Sequence, residues 1–332
     1  MQLLHHFSTE TYTTLDTAPG QHAVWQRAAI RIGFKHRFVL RGLLAIAALH
    51  LACGSGGGSC SADDARSSWI ASSSVNFNQA LIEFRQVLGA SDSSNSNNYN
   101  NTIDDNNDRS AAVFLFATTV VVHALAIGQT QYCVDPVADM TQCVRTVRGT
   151  ASVVRPSWEA LLASDVAPLA LNGITMQQRS TTTTTITTTN DDDYDVLALK
   201  QLVQQAGSPH RHAAAAANLP LPPLGEDEAA AYARAIDRLD DVAREARARP
   251  AGAAVLAVAF TWPVLLDDAF MLCLAERRPV AVTVLLNFTA LLERLCCGCG
   301  GIWWLAGWHG RARDFAEVSS LLPPALMRWV PE

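Results

Sequence analysis

The stretch that decides the fold is Pro279-Val-Ala-Val-Thr-Val-Leu-Leu-Asn-Phe-Thr-Ala-Leu-Leu-Glu-Arg-Leu295. Proline at the first position of a helix loses no internal hydrogen bond, so Pro279 is suited to begin one. The residues after it are apolar nearly all round, and a helix that is apolar on every side is a buried helix. The sequence therefore predicts a buried helix over 280–295.

Two other segments show helical spacing, and strand-like alternation is absent over any useful length. Acidic residues at 226–228 favour the start of a helix over 227–249, and Pro250 stops it. Its apolar stripe is Tyr232, Ile236, Leu239, Ala243 and Ala246. Over 38–52, the residues predicted to share the apolar face are Leu40, Leu44, Ala47 and Leu51. The predicted fold class is all-α, as one multi-helix domain over 1–332.

Low-complexity segments interrupt this pattern. They are rich in Gly, Ser, Asn, Thr, Ala and Pro, and such compositions bury too little apolar surface to offset the entropy of ordering. We expect four disordered insertions, at about 54–74, 91–108, 177–195 and 207–225.

Composition excludes several classes of function. The formal net charge is −6 and the pI is near 5.8, so the chain lacks the basic surface of a protein that grips nucleic acid. No nucleophile elbow, phosphate-binding loop or dinucleotide motif is present, so an enzyme is not expected. The eight cysteines are unevenly spaced and predict neither a disulfide framework nor a metal site.

Two apolar stretches raise the question of a membrane span. Residues 111–128 barely reach the ~18–20 residues that a span needs, and residues 251–266 are interrupted by Pro263. We expect both to be buried core helices, and hence no membrane span.

A cluster of indoles lies between residues 303 and 308, in a chain that is only 7% aromatic. Trp304 and Trp308 are four residues apart and are expected to share a helix face, with Gly307 leaving space beside them. Large rings of this kind anchor a core or line an apolar pocket. The residues alone leave both alternatives open.

Several short motifs follow one another in a characteristic order, and we call them the landmarks. They are the run from Leu3 to Tyr12, Val24-Trp25-Gln26, the run from Arg41 to Ala52, Gln79-Ala80-Leu81 with Phe84-Arg85, the run from Ala112 to Ala126, Pro156-Ser157-Trp158-Glu159, Phe260-Thr261-Trp262-Pro263, Glu276-Arg277-Arg278-Pro279, the indole cluster and Arg328-Trp329. In this order the chain resembles the C-terminal regulatory domain of fungal six-cysteine zinc-cluster transcription factors, of the sterol uptake control type.

The resemblance implies an all-helical regulator of RNA polymerase II genes, located in the nucleus or shuttling from the cytoplasm. It implies an apolar pocket for a sterol or another apolar ligand, and a homodimer or a heterodimer with relatives. DNA, and zinc as a cofactor, would be reached only through an upstream six-cysteine module, which this sequence does not contain. The alternative is a ligand-free interaction or dimerisation module without direct DNA binding.

If the chain has such a pocket, we expect its walls to come from the apolar helices. The candidate ligand-binding residues are Phe114, Phe116, Val120, Phe260, Trp262, Leu285, Phe288, Trp303, Trp304, Gly307 and Trp308. For each of them, ordinary core packing is the competing interpretation.

Overall fold

The structure is a computed structural model that describes residues 1–15, 19–54, 60–93, 103–130, 133–170, 196–207, 224–248, 255–297 and 302–331. Within these ranges the chain forms helices and no strands. The predicted all-α fold class is therefore confirmed.

The helices are numbered here in chain order. They are α1 (Gln2–Thr9), α2 (Pro19–Ala23), α3 (Ile30–Lys35), α4 (Arg37–Gly54), α5 (Cys60–Ser93), α6 (Ile103–Thr130), α7 (Pro136–Val154), α8 (Trp158–Leu162), α9 (Val196–Gly207), α10 (Glu226–Ala248), α11 (Val255–Leu265), α12 (Asp268–Ala275), α13 (Pro279–Cys297), α14 (Trp308–Val318) and α15 (Pro324–Met327). Short 3₁₀ turns cover Thr11–Thr14 and Arg155–Ser157, and a π-helical segment covers Val24–Ala29.

Local sequence explains where several helices begin. Asp135 caps α7 by accepting a hydrogen bond from the backbone N–H of Ala138 at 2.9 Å, with proline at the first helical position. Asp267 caps α12 in the same way, accepting from the N–H of Phe270 at 2.8 Å. These caps satisfy amide groups that the first turn of a helix leaves without partners.

The helices pack in sequence-local groups around one continuous hydrophobic core. Helix α4 packs against α1, α3, α5 and α6, and α6 packs against α7 and α8. Helix α7 also contacts α11 and α14, which joins the first half of the chain to the second. Helix α10 packs against α9, α11, α12 and α13.

The predicted helix over 280–295 is confirmed by α13, and the predicted helix over 227–249 is confirmed by α10 as far as residue 248, since residue 249 lies outside the described residues. Every residue from 280 to 292 of α13 is buried, as expected for a helix that is apolar nearly all round. The five stripe residues of α10 are all buried as well. On its outer face, Arg244 donates from Nε to Asp240 at 3.0 Å.

Two local predictions differ from the structure. On α4 the buried face is formed by Val39, Leu43 and Ile46 and their neighbours, while Leu40, Leu44 and Leu51 are half-buried. The difference arises because α4 is covered on several sides, so a single apolar stripe does not identify its core face. Residues 60–74, expected within the first insertion, instead form the first half of α5, which packs along α4.

The other predicted insertions overlap the described residues only at their ends. Residues 91–93 close α5, residues 103–108 open α6, and residue 207 ends α9. The segments 55–59, 94–102, 177–195 and 208–223 lie outside the described residues.

The expectation of no membrane span is wrong. Among the described residues, three helical stretches are long and apolar enough to cross a membrane: Arg37–Gly54, Asp105–Thr130 and Pro279–Cys296. The error came from taking residues 111–128 as the full length of one segment, whereas α6 continues at both ends, and from not considering α4 and α13. This correction rests on length and composition alone. In the apolar 18-residue window of each stretch, 56%, 67% and 78% of the residues are buried inside the fold.

Candidate functional site

A cavity of about 930 Å³ lies between α6, α7, α11 and the segment 155–160. Its volume falls in the ~300–1,000 Å³ range of pockets that take small organic ligands. The lining residues are Leu15, Trp25, Asn106, Phe114, Ala117, Thr118, Val121, Val122, Val147, Thr150, Ala151, Val154, Arg155, Pro156, Ser157, Trp158, Glu159, Ala160, Leu169, Ala170, Phe260, Thr261, Val264, Leu265 and Trp304. These positions come from distant parts of the chain, so the cavity exists only in the folded protein.

Aromatic rings form much of the cavity wall. Trp25, Phe114, Trp158, Phe260 and Trp304 all line it. The rings of Phe260 and Trp304 stack with centroids 6.1 Å apart and planes 13° from parallel. Flat, rigid rings offer a large apolar contact area at little cost in side-chain entropy, which suits an apolar ligand.

The N-terminal segment holds Trp304 in the wall. The indole Nε1–H of Trp304 donates to the carbonyl oxygen of Thr14 at 3.0 Å, and Trp303 donates to the Thr14 hydroxyl at 3.0 Å. The next residue, Leu15, is buried and lines the cavity. Two adjacent indoles thereby hold Thr14, and with it Leu15, against one side of the site.

Charged side chains stand only at exposed positions of the lining. Arg155 and Glu159 line the cavity but are exposed, as is the polar side chain of Asn106. Deeper in the wall, Thr118 donates to Phe114 O at 3.0 Å and Thr150 to Val147 O at 2.8 Å. These two hydroxyl protons are engaged by their own helices, which leaves the interior largely apolar.

Trp25 is the exception among the buried lining residues. It lies in the π-helical segment Val24–Ala29 and is 2% exposed, and its indole Nε1–H has no hydrogen-bond partner among the described residues. Short π-helical segments occur often at functional sites, because the extra residue per turn redirects side chains. An unpaired buried donor beside a cavity is an unusual feature that needs an explanation.

The structure places three of the eleven predicted pocket residues at the cavity, namely Phe114, Phe260 and Trp304. The remaining eight are not among its lining residues: Phe116, Val120, Trp262, Leu285, Phe288, Trp303, Gly307 and Trp308. Contact with a ligand stays a prediction for all eleven.

Helical geometry separates the neighbours in two of the predicted pairs, because residues two apart on a helix point to nearly opposite sides. Phe114 faces the cavity, whereas Phe116 is fully buried against Phe84, with ring centroids 4.8 Å apart. Likewise Phe260 faces the cavity, whereas Trp262 stacks on Phe288 at 4.4 Å. Trp262 also donates to Ala235 O at 2.9 Å and belongs to the core around α10 and α13.

The three tryptophans of the indole cluster lie in three different environments. Trp304 lines the cavity, and Trp303 stacks on His50 with centroids 5.1 Å apart. Trp308 packs against Gly128 of α6. The expected common helix face of Trp304 and Trp308 is absent, because Gly307 adopts a left-handed conformation (φ 68°) and α14 begins only after it.

The other three predicted residues lie away from the cavity as well. Leu285 is fully buried on α13, inside the core. Val120 is half-buried on α6, and a Cβ at Gly307 would meet open space.

Several lining residues were not predicted, although the sequence held a signal for some of them. Trp25 and Trp158 each stand inside a landmark, in Val24-Trp25-Gln26 and in Pro156-Ser157-Trp158-Glu159. The prediction drew only on long apolar helices and so passed over short motifs next to turns. Val147 and Leu169 carry no comparable signal.

Among the described residues that line the cavity there is no His, Cys or Asp. Within the described ranges, no group of three or more His, Cys, Asp or Glu side chains is placed to hold a metal ion. Ser73 and His123 form a hydrogen-bonded pair at 3.2 Å, but both are buried and His123 stacks on Phe77. Burial lowers the pKa of His123 to about 4, and the pair faces the core rather than the cavity.

Comparison with protein-family models and with curated proteins finds no match to this chain. The resemblance carried by the landmarks therefore stays a prediction.

Proposed function

We propose that this chain is a ligand-responsive regulatory domain of the sterol uptake control type, which binds an apolar ligand such as a sterol and regulates transcription accordingly. The observation that carries the ligand-binding part is the cavity of about 930 Å³ with its five aromatic wall residues. The link to transcription comes from the order of the landmarks.

The construction of the cavity favours regulation by its ligand. Leu15, Phe114, Val147, Phe260 and Trp304 lie far apart in the sequence but line one space. A ligand that fills this space contacts α6, α7, α11 and the N-terminal segment together. Ligand binding therefore stabilises one arrangement of these elements relative to any other, which is the thermodynamic requirement for a switch.

Binding is tested with dehydroergosterol, a fluorescent sterol, titrated against purified protein. We expect saturable binding that Thr118→Trp abolishes, because the new indole at a lining position occupies the cavity. The matched control is Ile127→Trp on the same helix, since Ile127 is half-buried and does not line the cavity, and it should retain binding. Circular dichroism and thermal unfolding check that both variants fold. Absence of saturable binding at micromolar sterol refutes the proposal.

The regulatory part has its own test. The chain is fused to an unrelated DNA-binding domain in yeast, and a reporter gene is measured with and without inhibition of sterol synthesis. We expect sterol depletion to change reporter output for the wild-type fusion but not for Thr118→Trp. If the reporter output of the wild-type fusion does not change when sterol synthesis is inhibited, the regulatory role is refuted. Ligand binding is then decided by the titration alone.

A further inference from the structure

The cavity meets solvent beside a helical turn that carries two opposite charges. Arg155 and Glu159 are the only charged side chains among the described residues that line it, and both are exposed. The rest of the described lining is uncharged, and five aromatic rings form much of it. A cavity with an apolar interior and a charged edge suits a ligand that has an apolar tail and a polar head, because each part of the ligand then lies in matching surroundings.

Local structure places the two charges one helical turn apart. The 3₁₀ turn Arg155–Ser157 leads directly into α8, which begins with Trp158 and Glu159. Side chains four residues apart on a helix have their Cβ atoms about 5–6 Å apart. The N–H of Trp158 donates to the carbonyl oxygen of Arg155, and side chains at this three-residue spacing lie one above the other in a 3₁₀ turn. All three side chains line the cavity, so one ligand head at its edge is within reach of each of them.

The protein itself neutralises neither charge. Among the described residues, the guanidinium of Arg155 and the carboxylate of Glu159 form no ion pair or hydrogen bond, with each other or with a third group. Asp240 and Arg244, at the same spacing on α10, do form an ion pair at 3.0 Å. Their order along the chain is the favourable one, with the acid first, whereas Arg155 precedes Glu159. Both charges therefore remain available to a ligand at the edge of the cavity.

This pair of charges discriminates between ligand heads. A carboxylate that is attracted to Arg155 lies one turn from Glu159, which repels it, and an ammonium that is attracted to Glu159 is repelled by Arg155. An uncharged head gains from neither residue. A zwitterionic head gains from both, because its anionic group accepts hydrogen bonds from the guanidinium while its cationic group lies next to the carboxylate. A quaternary ammonium also binds to the face of an indole, which Trp158 provides beside both charges.

We propose that the cavity binds a zwitterionic lipid of the phosphocholine type, with the phosphate at Arg155 and the quaternary ammonium at Glu159 and Trp158. This inference rests on one part of the proposed function, namely that a ligand occupies the cavity, and it names a class of ligand other than sterols. The apolar tail lies along Phe114 and Phe260 in the interior. Both charged contacts are exposed, so each contributes modestly to affinity and weakens as salt is added.

The test is isothermal titration calorimetry of the full chain with three ligands that share a dodecyl tail or its equivalent: dodecylphosphocholine, dodecanoate and dodecyltrimethylammonium, each kept below its micelle concentration. We expect dodecylphosphocholine to bind about three- to tenfold more tightly than either of the others. Arg155→Gln should weaken the binding of dodecylphosphocholine and tighten that of dodecyltrimethylammonium. Glu159→Gln should weaken the binding of dodecylphosphocholine and tighten that of dodecanoate. The variant with both substitutions should bind all three ligands nearly equally.

The matched control is Arg145→Gln, which removes another exposed arginine of the same helical stretch that does not line the cavity. It should leave the ratios of the three affinities unchanged. Thr118→Trp should abolish the binding of all three ligands, because the new indole occupies the cavity. Free phosphocholine, which lacks the tail, should bind far more weakly than dodecylphosphocholine.

The inference is overturned if the wild type binds the three ligands equally or binds none of them. It is also overturned if the preference for dodecylphosphocholine survives in the double variant, if binding survives Thr118→Trp, or if free phosphocholine binds as tightly as dodecylphosphocholine. In each of these cases the titration with dehydroergosterol decides the proposed function separately. If neither dehydroergosterol nor any dodecyl ligand binds, both the inference and the proposed function are refuted.

Discussion

The contact between Gly128 and Trp308 makes a quantitative prediction about packing. A Cβ atom added at Gly128 would lie 2.5 Å from Cζ2 and 2.7 Å from Cη2 of the Trp308 indole. Carbon atoms in contact normally stay about 3.5–4.0 Å apart, so the overlap is about 1 Å. The ring has little freedom to move away, because Trp308 is 2% exposed and the Arg311 guanidinium lies 4.8 Å from its centroid.

Two opposing terms set the size of the effect of Gly128→Ala. Replacing a glycine inside a helix by alanine stabilises it by about 0.5–1 kcal/mol. Overpacking a well-filled site costs about 1–3 kcal/mol. Gly149 supplies the matched control, because it lies inside α7 and a Cβ there meets no atom within 4 Å. The helix term is common to both variants, so Gly128→Ala should be less stable than Gly149→Ala by about 1–3 kcal/mol.

Urea denaturation followed by circular dichroism at 222 nm measures the free energy of unfolding of both variants. We expect Gly149→Ala to equal or exceed the wild type, and Gly128→Ala to fall below Gly149→Ala. The double variant Gly128→Ala/Trp308→Phe should recover part of the loss, since the smaller ring leaves room for the methyl group. Equal stabilisation by both alanines would show that Trp308 does not cover Gly128.

Two further predictions concern polar groups inside the core. Asn287 donates from Nδ2 to Trp329 O at 2.8 Å and to Thr283 O at 2.9 Å. Asn287→Leu should therefore lower the free energy of unfolding by about 1–3 kcal/mol and speed proteolysis of the C-terminal segment. An unchanged rate of proteolysis contradicts this prediction. Burial lowers the pKa of His123 to about 4 from an ordinary value of 6.5. As the pH falls, His123 is therefore protonated in the unfolded chain before it is protonated in the folded chain. The free energy of unfolding should fall by about 3 kcal/mol between pH 6.5 and pH 4, and His123 should cause no further loss below pH 4. His123→Gln should remove that part of the pH dependence in urea titrations, and an unchanged slope would refute the assignment.

The sequence predicted the buried residues of a helix correctly where they follow from the apolar pattern of that helix alone. The all-apolar run after Pro279 is buried along its length, and the stripe from Tyr232 to Ala246 is the core face of α10. The predicted buried face of α4 was wrong. Helices on several sides bury most of the α4 surface, so the residues of its apolar stripe are not its most buried residues. The prediction for residues 60–74 was also wrong, because a Ser-rich segment becomes helical when it packs along a neighbouring helix.

The candidate site could be predicted only in part. Phe114, Phe260 and Trp304 belong to helices or clusters whose aromatic content stands out in the sequence, and they line the cavity. Their neighbours Phe116 and Trp262 are equally prominent but point to the opposite side. Composition cannot distinguish the two sides of an apolar helix, because both are hydrophobic.

The sequence by itself determined the all-helical fold, the position of its buried helix α13 and the presence of an indole cluster, because these follow from local periodicity and composition. Only the tertiary structure decided which rings enclose the cavity, that Gly307 separates Trp304 from Trp308, and that the buried Trp25 indole N–H has no hydrogen-bond partner among the described residues. The physical reason is that a cavity and an unpaired hydrogen bond are defined by what surrounds a residue. Those surroundings come from segments that are distant in the chain.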